Sequence, residues 1–548
     1  MTLYELIRPE SGADRVRIAL AAVFSAVANT SVLVLVDKGL QVRGHPHVWL
    51  WILFVFACVG YAVSYSYCVT TITRRVESAL YKVRLRLGEK IRRAELLTLE
   101  QIGTAKIYDQ VVHQTTIISN SSWLIALGLQ AFMLLIVVLL YILYLSKTLF
   151  LLFMLLSLAA VPLYHARSRE VATDTRRLDA ERLSLYDRLT DLLFGFKETR
   201  LRAKRGDELH GHFDETAATL RDRSIRLQIL VEESDNFMIF NLYALVATTV
   251  FVLPQFDTTS TRSLSELSAA ALFIGGPIAI LGLTIPEYKR AELAAAGIQA
   301  LEKRLDQAAP VSPQEATDPF DGRFSVIDAV ELRFAYTDPS GDEGFSLGPV
   351  SLSIRAGEIV FFVGGNGSGK TTLLKLLTGL YTPSSGALLV DHRPVEPANR
   401  QAYRELCAAV FTDFHLFPKL YGLSDRSVEE VDRLLRQLQI DRNTSYGPAG
   451  FADLNLSTGQ RKRLAMVVAL LEDRPLYVFD EWAADQDPPF RRYYYEELLP
   501  ELKRRGKTVL AISHDDRYFH CADRVVVMEY GSIQSIDSHP FDRALPPR

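Results

Sequence analysis

The apolar run Ile359-Val360-Phe361-Phe362-Val363 breaks into Gly364-Gly365-Asn366-Gly367-Ser368-Gly369-Lys370-Thr371-Thr372. Gly364, four further residues, then Gly369, Lys370 and Thr371 have the spacing of a phosphate cradle. Glycines let successive backbone N–H groups curl around an anion, and the helix that opens next adds its positive end. Lys370 would reach the β- and γ-phosphates, and the Thr371 hydroxyl would take Mg²⁺. The plainer readings are a glycine-rich turn or part of a dinucleotide fingerprint, from Gly365-x-Gly367-x-Gly369. Lys370 and Thr371 at the required offset, between a strand and a helix, disfavour both. The chain therefore handles a nucleoside triphosphate.

Further along, Leu476-Tyr477-Val478-Phe479 ends in Asp480-Glu481. A carboxylate at a strand's carboxyl end can hold Mg²⁺ opposite Thr371, directly or through water. Glu481 is then placed to polarise the attacking water as general base, an effect worth about 10²–10⁴-fold. The rest of phosphoryl transfer depends on positioning and charge neutralisation. A bare Asp-Glu pair says little; in order after a phosphate loop it says much.

These residues need elements to hold them. Strands are expected over about 350–363, at Leu476–Phe479 and at Val509–Ile512, with helices over about 370–380, 426–440 and 459–472. Alternating strands and helices imply a mostly parallel sheet covered on both faces. The polar stretch Pro310–Phe320, with three prolines, reads as a linker. The division is residues 1–305 as an all-α membrane domain, 306–322 as linker, and 323–548 as an α/β nucleotide-binding domain.

The 548 residues exceed one ordinary core, and the net charge of −3 argues against general nucleic-acid binding. Cys58, Cys68, Cys407 and Cys521 form no C-x-x-C pair, so neither a disulfide framework nor a zinc site is expected. His45 and His47 flank a proline in what reads as a polar loop. A mean hydropathy of +0.10 averages two different solvents. Arg8, Asp14, Arg15 and Arg17 precede a first apolar run that is long enough to span and lacks a clear small-residue cleavage site, so no cleavable leader is expected.

Six stretches approach the roughly 20 apolar residues a membrane helix needs: Ile18–Val36, Val48–Val69, Trp123–Leu145, Leu149–Tyr164, Phe237–Gln255 and Leu267–Ile285. The segments after the second and fourth are long, helical in period and basic, from Arg74 to Arg93 and from Arg167 to Arg205. Positive-inside logic puts both in the cytoplasm, with both termini. Polar groups inside spans, Asn29 with Ser25 and Ser31 and Asn241 with Tyr243, are expected to satisfy one another between helices rather than line a cavity. Gly275-Gly276-Pro277 interrupts the sixth span, as a kink or as a hinge.

Between the phosphate loop and Asp480 lies Leu456-Ser457-Thr458-Gly459-Gln460. It resembles the L-S-G-G-Q signature of ABC transporters with its third residue changed. Tyr336 matches the family's adenine-stacking aromatic. Asp487, ending Ala484-Asp485-Gln486-Asp487, matches the D-loop aspartate, and His514 the switch histidine at the γ-phosphate. Six spans before one such domain resembles the half-transporter exporter plan. The family usually carries glutamine, touching Mg²⁺, where Thr412 stands in Ala409-Val410-Phe411-Thr412-Asp413-Phe414, so Thr412 or Asp413 becomes a further metal candidate. F-T-D-F-H-L-F, L-S-T-G-Q-R, D-E-W-A-A-D-Q-D-P and Gly195-Phe196-Lys197-Glu198 together resemble bacterial cyclic-peptide and siderophore-peptide exporters, such as those of pyoverdine precursor and syringomycin.

The resemblance implies ATP and Mg²⁺ as cofactors. It implies Glu481 and His514 as catalytic groups, and nucleotide contacts from Tyr336, Gly364, Asn366, Gly367, Ser368, Gly369, Lys370, Thr371 and Thr372. Ser457, Gly459, Gln460 and Asp487 would face the nucleotide of a second half-transporter, simplest as a homodimer. Cytoplasmic helix tips would pass the motion of the nucleotide domains to the cavity. The expected function is ATP-driven export of a peptide-like product across a bacterial cytoplasmic membrane by alternating access. A siderophore importer on the same plan, a lipid or drug flippase, and an ATP-gated regulator without cargo are the alternatives.

Overall fold

The computed structural model describes residues 12–41, 48–256, 261–307, 318–337 and 343–538. Arg8, His45, His47 and most of the expected linker from Pro310 lie outside these residues. The chain divides into two compact units, one of residues 1–89 and 105–304, the other of residues 90–104 and 305–548.

The first unit is helical. Its elements are α1 (Gly12–Gln41) and α2 (Val48–Arg93), after which α3 (Leu96–Ile102) belongs to the second unit. α4 (Thr104–Tyr108) runs through a wide π turn, Asp109–Gln114, into α5 (Thr115–Leu145). α6 (Lys147–Phe194), α7 (Phe196–Leu201), α8 (Ala203–Ala247), α9 (Leu253–Phe256), α10 (Thr261–Phe273) and α11 (Gly275–Gln307) follow. Both basic segments are therefore helical continuations of apolar ones, as their period requires. Among the described residues, four runs are long and apolar enough to cross a membrane: Val16–Gly39, Val48–Arg93, Thr104–Leu145 and Glu266–Gln307. The fourth and fifth expected spans appear as shorter apolar stretches, Lys147–Leu156 and Ile239–Val252.

Trp51, Phe56, Val59 and Val63 of α2 are exposed, which suits hydrocarbon rather than water. Val138, Ile142, Leu149, Leu245, Leu267, Ala270 and Ile274 pack into a small core. Small residues bring helices close: a Cβ at Gly128 would stand 2.3 Å from Thr284 Cγ2. Two of the polar groups inside spans bond within their own helices. Ser31 Oγ donates to the Val27 carbonyl at 2.8 Å and Asn241 Nδ2 to the Phe237 carbonyl at 3.0 Å. For Ser31 and Asn241 this back-bonding one turn away takes the place of the expected bond to a neighbour, whereas Gln130 Nε2 donates to the Tyr65 carbonyl of another helix at 3.3 Å. At Gly275-Gly276-Pro277 the helix is interrupted only at Ile274, whose N–H and carbonyl still bond to Ala270 and Ile278.

The second unit is α/β. β1 (Val326–Thr337) and β2 (Glu343–Arg355) pair with β4 (Ser385–Val390) and β5 (Arg393–Pro394) in an antiparallel sheet. The second sheet has the order β12-β11-β3-β10-β9-β6, formed by β3 (Ile359–Val363), β6 (Cys407–Val410), β9 (Leu476–Phe479), β10 (Thr508–Ile512), β11 (Arg524–Glu529) and β12 (Ser532–Asp537). Only β12 is antiparallel there. β3, β9 and β10 are buried along their whole length, so each is an apolar run rather than an alternating one. Phe361, Tyr477, Phe479 and Val509 enter the core on one face; Phe362, Val478, Leu510 and Ile512 enter the core on the other. β7 (Tyr446–Gly447) and β8 (Gly450–Phe451) form a short antiparallel pair, and α12 (Lys370–Leu377), α13 (Arg400–Arg404), α14 (Val428–Gln437), α15 (Thr458–Glu472), α16 (Pro488–Tyr493) and α17 (Leu499–Arg504) complete the unit.

Candidate functional site

In an open parallel sheet, ligands collect beyond the carboxyl ends of the strands. β3, β10, β9 and β6 are adjacent and parallel, so the residues after Val363, Ile512, Phe479 and Val410 converge. These are the phosphate loop, His514, Asp480-Glu481 and Thr412. Positions far apart in sequence become neighbours because of strand order alone.

The loop's glycines are used where geometry demands them. Gly364 (φ +148°) has no room for a side chain, since a Cβ would stand 2.1 Å from the Met528 carbonyl oxygen. Gly369 (φ +94°) is the left-handed residue before α12, whose N-terminus follows the cradle. Lys370 is buried, and its Nζ donates to the carbonyls of Gly364 at 3.0 Å and Gly365 at 2.9 Å. Burial pushes its ammonium below the ordinary lysine value, while Glu481 and Asp480 act in the opposite direction. Such a cation gains from an arriving polyphosphate. Ser368 is buried beneath the loop, and Asn366 and Gly367 are exposed at its tip.

Thr371 Oγ1 donates to the Asp480 carboxylate at 3.1 and 3.2 Å, and Thr412 Oγ1 approaches the same carboxylate at 3.4 Å. Burial, with the neighbouring Glu481 charge, raises the Asp480 pKa, and the hydroxyl donors act against it. Hard oxygen donors around one desolvated carboxylate suit Mg²⁺, which binds through one or two carboxylates and keeps its other positions for water and phosphate. Among the described residues no group of three His, Cys, Asp or Glu forms an all-protein cage. Asp413 is exposed and makes no hydrogen bond to this group, so Thr412 is the better placed of the two candidates. His514 Nε2 and Glu481 Oε1 are 2.9 Å apart. Glu481 has φ +49°, a left-handed conformation uncommon outside glycine.

Tyr336 is the penultimate residue of β1, with its hydroxyl 3.3 Å from Thr372 Oγ1 and 3.3 Å from the Tyr381 hydroxyl. The ring packs edge-on against Phe334 and Tyr381. This puts its hydroxyl beside the first turn of α12.

The Ser457–Gln460 segment is placed elsewhere. Ser457 caps α15 in a reciprocal box, accepting from the Gln460 N–H at 3.4 Å while Gln460 Oε1 accepts from the Ser457 N–H at 3.0 Å. Among the described residues no hydrogen bond joins Ser457, Gly459 or Gln460 to the phosphate loop. Instead α15 is fastened to the segment after Glu481. A Cβ at Gly459 would stand 2.6 Å from the Asp485 carbonyl oxygen. Asp487 caps α16 and accepts from Arg463 Nη2 at 3.0 Å.

Sequence reasoning missed two groups. Lys462 is buried, its Nζ 2.7 Å from the Glu481 carbonyl oxygen and 2.6 Å from Asp485 Oδ2. Glu100 of α3 accepts from Lys375 at 2.8 Å and from the Tyr381 hydroxyl, while Glu95 accepts from Arg400 at 2.9 Å. Burial and the Glu100 bond raise the Tyr381 pKa. A charge run such as Arg461-Lys462-Arg463 ordinarily signals a solvated face, so the sequence held no cue for Lys462.

Residues 347–484 match the family model described as ABC transporter. The chain is 35% identical over 411 residues to the ATP-binding protein SyrD of Pseudomonas syringae pv. syringae, covering 72% of each. It is 29% identical over 383 residues to the ATP-dependent lipid A-core flippase of Burkholderia pseudomallei, covering 66% of this chain and 63% of that one. A solved structure of a bacterial Atm1-family ABC exporter with ATP bound shares the fold with a TM-score of 0.74 at 17% identity, over 96% of this chain and 94% of that one. With helical spans before a phosphate-loop domain and a single Ser457–Gln460 motif, the chain belongs to the ABC transporter family as an exporter-type half-transporter.

Proposed function

We propose that this half-transporter works as a homodimer that exports a peptide-like product, a cyclic peptide or a siderophore or its precursor, from the bacterial cytoplasm. The observation that carries the dimer is that Ser457, Gly459 and Gln460 make their described contacts within α15 and with the segment after Glu481, and among the described residues none of their hydrogen bonds reaches the chain's own phosphate loop. Each nucleotide would lie between Lys370 of one copy and Ser457 and Gly459 of the other. Tyr336 would stack on adenine, and the Gly364–Thr372 backbone would hold the phosphates. Thr371, Asp480 and Thr412 would hold Mg²⁺, which neutralises charge between the β- and γ-phosphates. Glu481 would polarise the attacking water, with His514 orienting both carboxylate and γ-phosphate. Glu481 combines a left-handed backbone with a carboxylate 2.9 Å from His514 Nε2.

The peptide cargo rests on the F-T-D-F-H-L-F, L-S-T-G-Q-R and D-E-W-A-A-D-Q-D-P stretches, which resemble peptide exporters. Lipid flipping is the second reading, favoured by relatives named lipid A-core flippase. Inside-out vesicles bearing the protein are expected to accumulate a labelled cyclic peptide with ATP and not without it. Uptake confined to right-side-out vesicles would reverse the direction, and ATP-dependent movement of labelled lipid alone would replace peptide by lipid.

A further inference from the structure

We propose that Lys462 is a positioning residue for Glu481, and that its contact with Asp485 links the signature helix to the hydrolytic site of the same chain. The inference rests on the shared-site reading above and goes beyond it, because it concerns how one half-site informs the other.

Four observations carry it. Glu481 is a non-glycine residue in the left-handed region, so its backbone needs external support. That support is the Lys462 ammonium, 2.7 Å from the Glu481 carbonyl oxygen. The contact is returned at the next residue, where Trp482 Nε1 donates to the Lys462 carbonyl at 2.8 Å. Finally, the same ammonium lies 2.6 Å from Asp485, whose carboxylate is half exposed. Lysine is rarely this buried without a partner, and an apolar residue would fill the same face of α15 without asking for two acceptors. The ammonium is therefore a three-way junction between α15, the backbone of Glu481 and the loop leading to Asp487.

The junction has a direction. Ser457, Gly459 and Gln460 form the first turn of α15, and Lys462 lies one turn further along the same helix. A small shift of that N-terminus on meeting a nucleotide would move the ammonium. It would carry the Glu481 carbonyl and Asp485 with it. Gly459 tightens the linkage, since the Asp485 carbonyl leaves no room for slack there and Gln486 Nε2 donates to the Gly459 carbonyl at 3.1 Å.

The test uses the purified full-length protein. ATP turnover, binding of a fluorescent ATP analogue and amide exchange are measured for Lys462→Met, Lys462→Arg and Lys462→Met/Asp485→Ala. Lys462→Met is expected to lower kcat on the order of tenfold, with KM within about twofold, because it misplaces the base without touching nucleotide. Its cooperativity in ATP should fall, analogue binding should be unchanged, and Lys462→Arg should recover part of kcat. The double variant should lose no more than Lys462→Met. Wild-type kcat and cooperativity in Lys462→Met would overturn the proposal. So would a loss of analogue binding and of α15 amide protection in parallel with kcat, which would make Lys462 merely structural. Lys370→Ala run alongside separates the two levels. Turnover that survives Lys370→Ala sinks the nucleotide-site reading itself, whereas its loss beside a normal Lys462→Met sinks only the linkage.

Discussion

Thr412, like Thr458 in the signature, departs from the family's pattern, and the geometry shows how much the departure at Thr412 matters. Its hydroxyl meets Asp480 at 3.4 Å, longer than either Thr371 contact, so it supports the carboxylate weakly. Thr412→Ala is expected to slow ATP turnover about two- to fivefold, the kinetic equivalent of one modest hydrogen bond. Steady-state ATPase rates at saturating Mg²⁺ check this; an unchanged rate would assign the role to water. Much of this site was legible in the sequence, because Gly364–Thr372, Asp480 and His514 act through short spacings or through strand ends that apolar runs reveal. Lys462 was not, since its burial depends on where α15 packs rather than on its neighbours in sequence.

At the scale of elements, the long apolar runs β3, β9 and β10 announced a parallel sheet, and β10 began one residue earlier than expected. The antiparallel sheet was harder to read. The strand pattern beyond the linker alternates, but β1 shifts register near Leu332 and Glu331 has φ +47°, so the pattern does not show how β1 pairs with β2 and β4. α3 was hidden for a different reason. Its one acidic residue, Glu100, stands just past the basic run that ends at Arg93, and nothing local shows that it meets Lys375 across 275 positions. Leu96 and Leu97 pack on the core of the second unit, so the ion pair and the apolar contact act together. Glu100→Ala leaves a nearly buried lysine without its carboxylate, which should loosen α3 by about 1–3 kcal/mol. Hydrogen exchange across Leu96–Ile102 in the full-length protein should accelerate accordingly. Unchanged protection would mean that Leu96 and Leu97 hold the helix alone.

For the molecule as a whole, the decisive property is that one chain carries each motif once. Glu481→Gln keeps the shape and hydrogen bonding of the side chain while removing the base. It should therefore bind ATP without consuming it and retain nucleotide in stoichiometric amount through gel filtration, as a closed pair of copies. Retained turnover would refute Glu481 as base. Composition and hydropathy sufficed to foresee a helical membrane half and an α/β half, because lipid and water demand different residues over long windows. The proposed partner surface rests on resemblance, since a residue that faces another copy looks, in sequence, like any exposed one.

The second unit also has a history. During synthesis α3 leaves the ribosome long before β1, α12 and α13 exist to receive it. Until then Glu95, Leu96, Leu97 and Glu100 have no seat. The nucleotide-binding core cannot close over them until the whole of residues 105–304 has been made. A chain cut at residue 305 would fold, if at all, with Lys375 and Arg400 lacking their carboxylates and an apolar seat open to solvent. The ATPase is thus finished last and needs a piece made early, which ties its maturation to that of the membrane half.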